Sequence, residues 1–398
     1  MARTRTQTFF LVFVLGFINA LTPFSIDLYL PAFPAIANDL HTTIARVSFS
    51  ISFYFIAYAL GQIIYGPLLD RFGRKRPLYF GIAVYFLSSL GCMLATSIEA
   101  LLIFRFLSAL GGCATTVGAT TMVRDYFPQK DAAKILSFLM LVISISPFLA
   151  PSVGSLVILH WHWRALFGIL AAVALLDGLL VRIALPHVYE PDFSVRLNFR
   201  PILSNFKTTL KNKQFTIYTF AGALSFAGLF VFVAGAPSIF FDEFKVDPKG
   251  FGLIFALLVG GLIGGGQLNH WLVKRFGSRR IFYTILLVEV FVSAIFFAGS
   301  ATNSFGLVVT CIFLFILLAC AGIAAPNASA LAIEPFSKNI GSAVALLGFL
   351  QEGLGAIVSV SLGLLNGRGT FPTALVTFSA AALGLLILLN GKRSSDLI

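Results

Sequence analysis

Five ionisable residues fall deep inside long apolar runs: Asp27, Arg105, Asp177, Glu289 and Glu352. An ionised side chain at the centre of a membrane helix costs roughly 2.5 to 3.5 kcal/mol on insertion scales, so each needs a partner, a wet cavity or a proton. A carboxyl that is neutral in apolar surroundings and charged when it meets water can carry a proton, because burial raises a carboxyl pKa and a nearby cation lowers it. Proton carriage is therefore the chemistry these residues suggest. Asp27 belongs to the stretch SIDLYLPAFP, residues 25 to 34, with Pro23, Pro31 and Pro34 around it. Arg105 is a cation suited to tuning Asp27. Glu352 lies about 20 Å along its own run, at 1.5 Å rise per residue, which is near the midplane. Depth and cost alone make it the second candidate.

Such residues need elements that hold them in lipid, and the composition supplies them. Of 398 residues 58% are hydrophobic and 11% charged, with mean hydropathy +0.94, against about one quarter charged in a soluble domain. A spanning helix needs about 20 mostly apolar residues, since no water is available to satisfy its backbone. Twelve runs qualify: 8–36, 47–69, 77–97, 100–123, 134–159, 163–186, 215–241, 250–272, 280–300, 304–333, 339–365 and 371–391. The opening MARTRT precedes a run too long for a secretory signal core and without a clear cleavage site, so it reads as an uncleaved first span.

The net charge of +12 concerns topology and not nucleic acid. With both termini cytoplasmic, only Arg46, Arg164, Lys245, Lys249 and Arg368 fall on the far side, and Arg105 and Arg182 lie within spans. The remaining Lys and Arg crowd the cytoplasmic loops, as the positive-inside rule requires. Cys92, Cys113, Cys311 and Cys320 all sit in apolar runs, where cysteine behaves as a small hydrophobe. Neither a disulfide framework nor a metal site is indicated.

The one long polar stretch, residues 187–214, divides the spans six and six. The expected organisation is an N-terminal bundle over 1–186, a cytoplasmic linker over 187–214 and a C-terminal bundle over 215–398. Sliding the chain by 204 residues places Gly61, Leu68, Arg71, Phe72, Gly73, Arg76 and Tyr79 on Gly265, Leu272, Arg275, Phe276, Gly277, Arg280 and Tyr283. The halves are degenerate copies. Repeated bundles are a common route to alternating access in secondary transporters. The second span carries Ser50, Tyr54, Tyr58 and Gln62 at four-residue intervals, a polar and aromatic stripe on one helix face. Tyr54, Tyr58 and Gln62 are candidate cavity residues, with lipid-facing bulk as the plain alternative. Phe226 and Phe230 on the seventh span are similarly spaced and weaker candidates.

Several motifs carry a family resemblance. Gly66-Pro-Leu-Leu-Asp70-Arg71-Phe72-Gly73-Arg74-Lys75-Arg76 resembles the major facilitator signature between the second and third helices. Arg105-Phe-Leu, Val123-Arg124-Asp125-Tyr126, Pro147, Ala150-Pro151 with Gly154, Trp163-Arg164, Asp27-Leu-Tyr-Leu-Pro31 and Gly341-Ser-Ala343 resemble the Bcr/CflA branch of drug exporters. The resemblance implies an all-α membrane fold of two pseudo-symmetric six-helix bundles that rock about a central site. It implies cavity helices 1, 4, 7 and 10, which include Asp27 and Arg105, and peripheral helices 6 and 9, which give Asp177 and Glu289 supporting roles. Related exporters often carry another acid two turns before Asp27; here Asn19 stands there and is assigned to substrate binding.

Asp70 ends the second span, where the helix dipole is already negative by about half a charge. The family uses this loop as a latch on the inward face, and here Asp70, Arg71, Gly73, Arg74, Arg124 and Asp125 would form it. The plain alternative is that the cations only enforce topology. The second copy has Lys274 in place of Asp70, which puts a matching latch there in doubt. Pro147, Pro151 and Gly154 remove backbone donors and bulk within about two turns, the helix-five element that the family associates with export; helix packing without directional meaning is the alternative.

No HExxH, GxSxG or P-loop stands in a usable context, so catalytic residues, a metal and cofactors are not expected. Uphill transport must then borrow an ion gradient, worth about 2.3 kcal/mol per charge per 100 mV and about 1.4 kcal/mol per pH unit. The expectation is proton-coupled efflux of amphipathic drugs such as phenicol or bicyclomycin-like compounds across a bacterial-type inner membrane. The partners expected are a small-molecule substrate and the lipid bilayer, with no nucleic acid and a monomeric chain. A dedicated exporter of a sugar, amino-acid derivative or siderophore is the alternative, and a non-transporting receptor a more distant one.

Overall fold

The computed structural model describes residues 5–185, 191, 199–336, 340–365 and 369–393. Among them every regular element is helical. The chain runs through α1 (Arg5–Asp27), a 3₁₀ turn (Leu30–Ala32), α2 (Phe33–Asp39), α3 (Ile44–Phe72), α4 (Lys75–Met93), α5 (Ile98–Tyr126), α6 (Gln129–His160) and α7 (Arg164–Ala184). It continues with α8 (Phe199–Leu210), α9 (Lys213–Pro237), a π-helical turn (Ser238–Glu243), α10 (Pro248–Phe276), α11 (Ser278–Ala301), α12 (Leu307–Ile333), α13 (Ile340–Leu364) and α14 (Thr370–Arg393).

Among the described residues, eleven helical segments are long and apolar enough to cross a membrane. The twelfth expected span is α4, 19 residues long, whose Lys75, Arg76, Ser88 and Ser89 dilute its hydropathy. It occupies a full helix position all the same, packed between α5 and α7. The outward faces are what lipid requires: Phe53, Leu60 and Ile64 on α3, and Met140, Leu141, Leu149 and Leu156 on α6, are large, apolar and exposed.

The chain divides into two compact units, Met1–Thr42 with Ala57–Leu197, and Thr43–Ile56 with Asn198–Ile398. Inside the first, α1 packs on α5, α6 and α7, and α4 packs on α5 and α7. Inside the second, α9 packs on α12, α13 and α14, and α11 packs on α12 and α14. These are the same neighbours one repeat later. The sequence offset of 204 residues thus corresponds to a repeated packing pattern. Its two turns share a backbone as well: Gly73 and Gly277 hold φ at +78° and +73°, the left-handed region that costs a residue with a Cβ about 1 to 2 kcal/mol. The aligned glycines Gly61 and Gly265 also serve alike, since a Cβ on Gly61 would press on Cys113 of α5 and one on Gly265 on the Ala319 carbonyl of α12.

The first half of α3 belongs to the second unit. There Ser359 donates to Ser52 at 3.0 Å, Phe55 meets Phe230 edge-on at 4.5 Å, and Phe49 fills the space over Gly363. At the other end of that unit Glu243 caps α14, accepting from the Thr370 amide at 2.5 Å and its hydroxyl at 3.2 Å. A carboxylate is favoured at a helix N-terminus because the free amides and the dipole are positive there.

Two expectations need correction or extension. The first span is not one helix over 8–36: α1 ends at Asp27, and Pro31 and Pro34, which lack a backbone donor, start the 3₁₀ turn and α2. The polar stretch 187–214 contains a helix, α8, which packs on α9 and α13 and sets Phe206 against the core around Phe215 and Leu331. Arg196 and Arg368 lie outside the described residues, as does the packing of Gly341 and Ser342 at the start of α13.

Candidate functional site

In the first unit, three motifs widely separated in sequence converge. Arg105, 1% exposed in the first third of α5, donates from Nη1 to the Ser25 hydroxyl at 2.9 Å and from Nη2 to the Ser25 carbonyl at 3.0 Å. That carbonyl lies at the end of α1, where the helix leaves acceptors without an intrahelical partner. The guanidinium also lies over the Tyr29 ring, 4.3 Å from its centroid, a contact worth about 2 kcal/mol when desolvated. Rings continue outward from Tyr29 to Phe167 at 5.6 Å and to Trp163 at 5.9 Å. Trp163 Nε1 donates to Asp39 at 3.1 Å, and Arg164 grips the same carboxylate at 2.5 Å and the Ala95 carbonyl at 2.9 Å.

Asp27 is 4% exposed, two residues from Ser25. Among the described residues no hydrogen bond or ion pair joins it to Arg105, whose guanidinium bonds to Ser25 and lies over the Tyr29 ring. Asn19, fully buried, donates to the Leu139 carbonyl of α6 at 3.4 Å, and Thr22 to the Gly112 carbonyl of α5 at 3.1 Å. The Asn19 carbonyl oxygen is buried without a partner among the described residues. α6 contains Pro147 and Pro151. Its Gly154 lies directly on the Leu28 carbonyl, where any Cβ would collide, and 3.4 Å separates that Cβ position from Pro31. The helix-five element and the Asp27–Pro31 stretch are therefore one packed contact.

At the α3–α4 corner, Arg74 is 7% exposed and joins two acids. Its Nη1 meets Asp70 at 2.6 Å, while Nε and Nη2 meet Asp125 at 2.6 and 3.4 Å. Burial works against the charge, but the bonds to Asp125 and Asp70 outweigh it and the pKa of Arg74 is raised above the ordinary arginine value. By linkage that contribution is fully present below the ordinary arginine pKa and fades only as pH climbs past the folded value. Gly73 makes the turn. Arg71 lies beside the Phe72 ring, 5.6 Å away, and Arg124 is exposed.

The other candidates are dispersed over the two units. Tyr54 is fully buried, and Tyr58 and Gln62 are half-buried. Phe230, 5% exposed, is wedged between Phe55, Phe226 and Gly355, which is a packing position. Glu352 is half-buried on α13, beside Gln351, which reaches Ser329 at 3.4 Å. Glu289, 2% exposed, pairs with Ser225 across α9 and α11 at 2.5 Å. Asp177 is buried with both oxygens lacking a hydrogen-bond partner among the described residues. In the second unit Asn327 donates to Asn269 at 2.6 Å.

Sequence reasoning missed Asp39, Ser25, Ser225 and the Asn269–Asn327 pair. Ser25 and Asp39 flank a motif already singled out, and that proximity was the only signal. Ser225 and the two asparagines are small polar residues in spans, which interhelical hydrogen bonding favours.

The fold and these buried ionic groups define a multi-pass membrane protein of the transporter kind. The chain matches the Major Facilitator Superfamily over residues 15–360 and belongs to it. It is 30% identical over 381 residues to an uncharacterised MFS-type transporter, YdgK, of Bacillus subtilis, covering 94% of each chain. It is 29% identical over 352 residues to a bicyclomycin resistance protein homologue of Haemophilus influenzae, covering 88% of each. Among solved structures it resembles the nucleoside transporter NupG with a TM-score of 0.74 at 15% identity, over 97% of this chain and 99% of that one; at that identity the likeness concerns the fold.

Proposed function

We propose that this transporter expels amphipathic small molecules, such as phenicol or bicyclomycin-like compounds, across the inner membrane in exchange for protons, with both termini in the cytoplasm. The observation that carries the proposal is the state of Asp27. It is a buried carboxyl at membrane depth with no cation paired to it among the described residues, and an unpaired charge there is expensive enough that the group is held with a proton. Arg105 bonds to Ser25 and lies over Tyr29, the residues two positions to either side of Asp27. Release of that proton requires water to reach Asp27, and alternating access supplies it. Glu352, half-buried and near mid-helix, is the second proton carrier of the proposal. The bicyclomycin-resistance relative supports the drug class.

Proteoliposomes with an imposed pH gradient test it. Uphill uptake of several unrelated amphipathic drugs, each releasing protons into the opposite compartment, is the expected result. Accumulation of one metabolite only would replace the drug assignment with a dedicated exporter, and uptake indifferent to the gradient would remove proton coupling.

A further inference from the structure

The α10–α11 corner differs chemically from its counterpart at α3–α4. Lys274, Arg275, Arg279 and Arg280 surround Gly277. Ser278 stands where the repeat has Arg74, and Lys274 where it has Asp70, so the clasp cannot form. Among the described residues the one ion pair here is Arg279 with Glu334 at 3.5 Å, both about half exposed, a pair of little strength. Arg275 and Arg280 lie instead against rings: Arg275 is 5.7 Å from Trp271 and 5.5 Å from Phe276, and Arg280 is 5.7 Å from Phe276. Trp271 and Phe276 are 56% and 41% exposed.

Beside these cations is a groove of about 290 Å³ lined by Leu272, Phe276, Arg280, Ile281, Thr284 and Ile285. Its size is at the lower end of small-ligand pockets, about 300 Å³. Its walls are apolar, and one end is cationic. Exposed aromatic rings beside basic residues at a helix end belong at headgroup level, and unneutralised cations there attract anionic lipid.

We infer that this groove binds an anionic phospholipid, with Arg275 and Arg280 at its phosphate and the start of an acyl chain along Leu272, Ile281 and Ile285. The charge complementarity and the apolar floor call for one molecule that is both anionic and lipidic. A free anion would leave the floor wet, and a neutral lipid would leave the cations unmatched. The site is independent of proton coupling and of the drug transported.

Native mass spectrometry of the full-length protein, equilibrated in detergent with equal phosphatidylglycerol and phosphatidylcholine, tests the inference. Phosphatidylglycerol should be retained in preference to phosphatidylcholine. R275A and R280A should each weaken it roughly fivefold. T284W, which fills the groove from an exposed position, should abolish retention with the charges intact, whereas K207A, at an exposed position on α8, should change nothing. Thermal unfolding without lipid should be alike for all four variants, showing that they are folded. Unchanged retention in T284W, equal retention of both lipids, or displacement by inorganic phosphate as effective as by lipid would each overturn it.

Discussion

The turns at 70–76 and 274–280 share a fold and differ in charge. Each follows a helix that packs through a glycine, Gly61 or Gly265, and each turns on a glycine with positive φ. In the first copy a single buried arginine is matched by two acids; in the second, cations face outward over aromatic rings and an apolar groove. Backbone geometry therefore depends on positions such as Gly73 and Gly277, while the electrostatic task depends on two or three side chains that can change without disturbing the turn. One copy is an internal clasp. The other is a surface that meets the bilayer.

The largest effect that would separate the copies is loss of the clasp. R74A leaves Asp70 and Asp125 unmatched and should cost about 2 to 3 kcal/mol, read as a lowered unfolding temperature in detergent. R280A in the same assay without lipid should shift it little, and equal losses in the two would erase the contrast. Next come the shared turns. G73A and G277A should each cost about 1 to 2 kcal/mol; at Gly277, where a Cβ would meet nothing within 4 Å, the loss would be purely conformational. A harmless G277A would show that the second turn does not need its backbone. Comparable in size, S225A removes the hydrogen-bond partner of buried Glu289 and should cost about 1 to 2 kcal/mol, with S225T retaining most of the stability. The smallest effect belongs to K274D with S278R, which rebuilds the acid and cation of the first copy on an exposed surface. A gain below about 1 kcal/mol is expected there, and a larger one would mean that the second corner is more enclosed than its exposure indicates.

Much of this was legible in the residues. The order of the spans follows from apolar runs, α4 being the one whose hydropathy is diluted, and the repeat follows from Gly73 and Gly277 with their neighbours. Asp70, Arg74 and Asp125 come together as the signature implies. What escaped depends on where side chains turn. Arg105 and Asp27 look like a pair in sequence, yet a guanidinium with five donors and a flat face finds the Ser25 carbonyl and the Tyr29 ring, since a helix end offers unpaired acceptors. Phe230 reads as cavity lining, and its ring lies so close over Gly355 that a Cβ there would collide with it, a contact between helices that the sequence does not announce. Asp39 carries no periodic signal, because it lies at a helix end where partners come from Trp163 and Arg164, more than a hundred residues away. The helix α8 was hidden by the polar composition of its surroundings.

The functional account depends on an acid that loses and regains a proton in a place where charge is costly. Proton release by pyranine fluorescence in proteoliposomes, measured during drug uptake for D27N, E352Q and the double variant, addresses it directly. Downhill drug exchange should persist in the double variant while gradient-driven accumulation and proton release disappear. Uphill transport at the native rate in that variant would contradict the account.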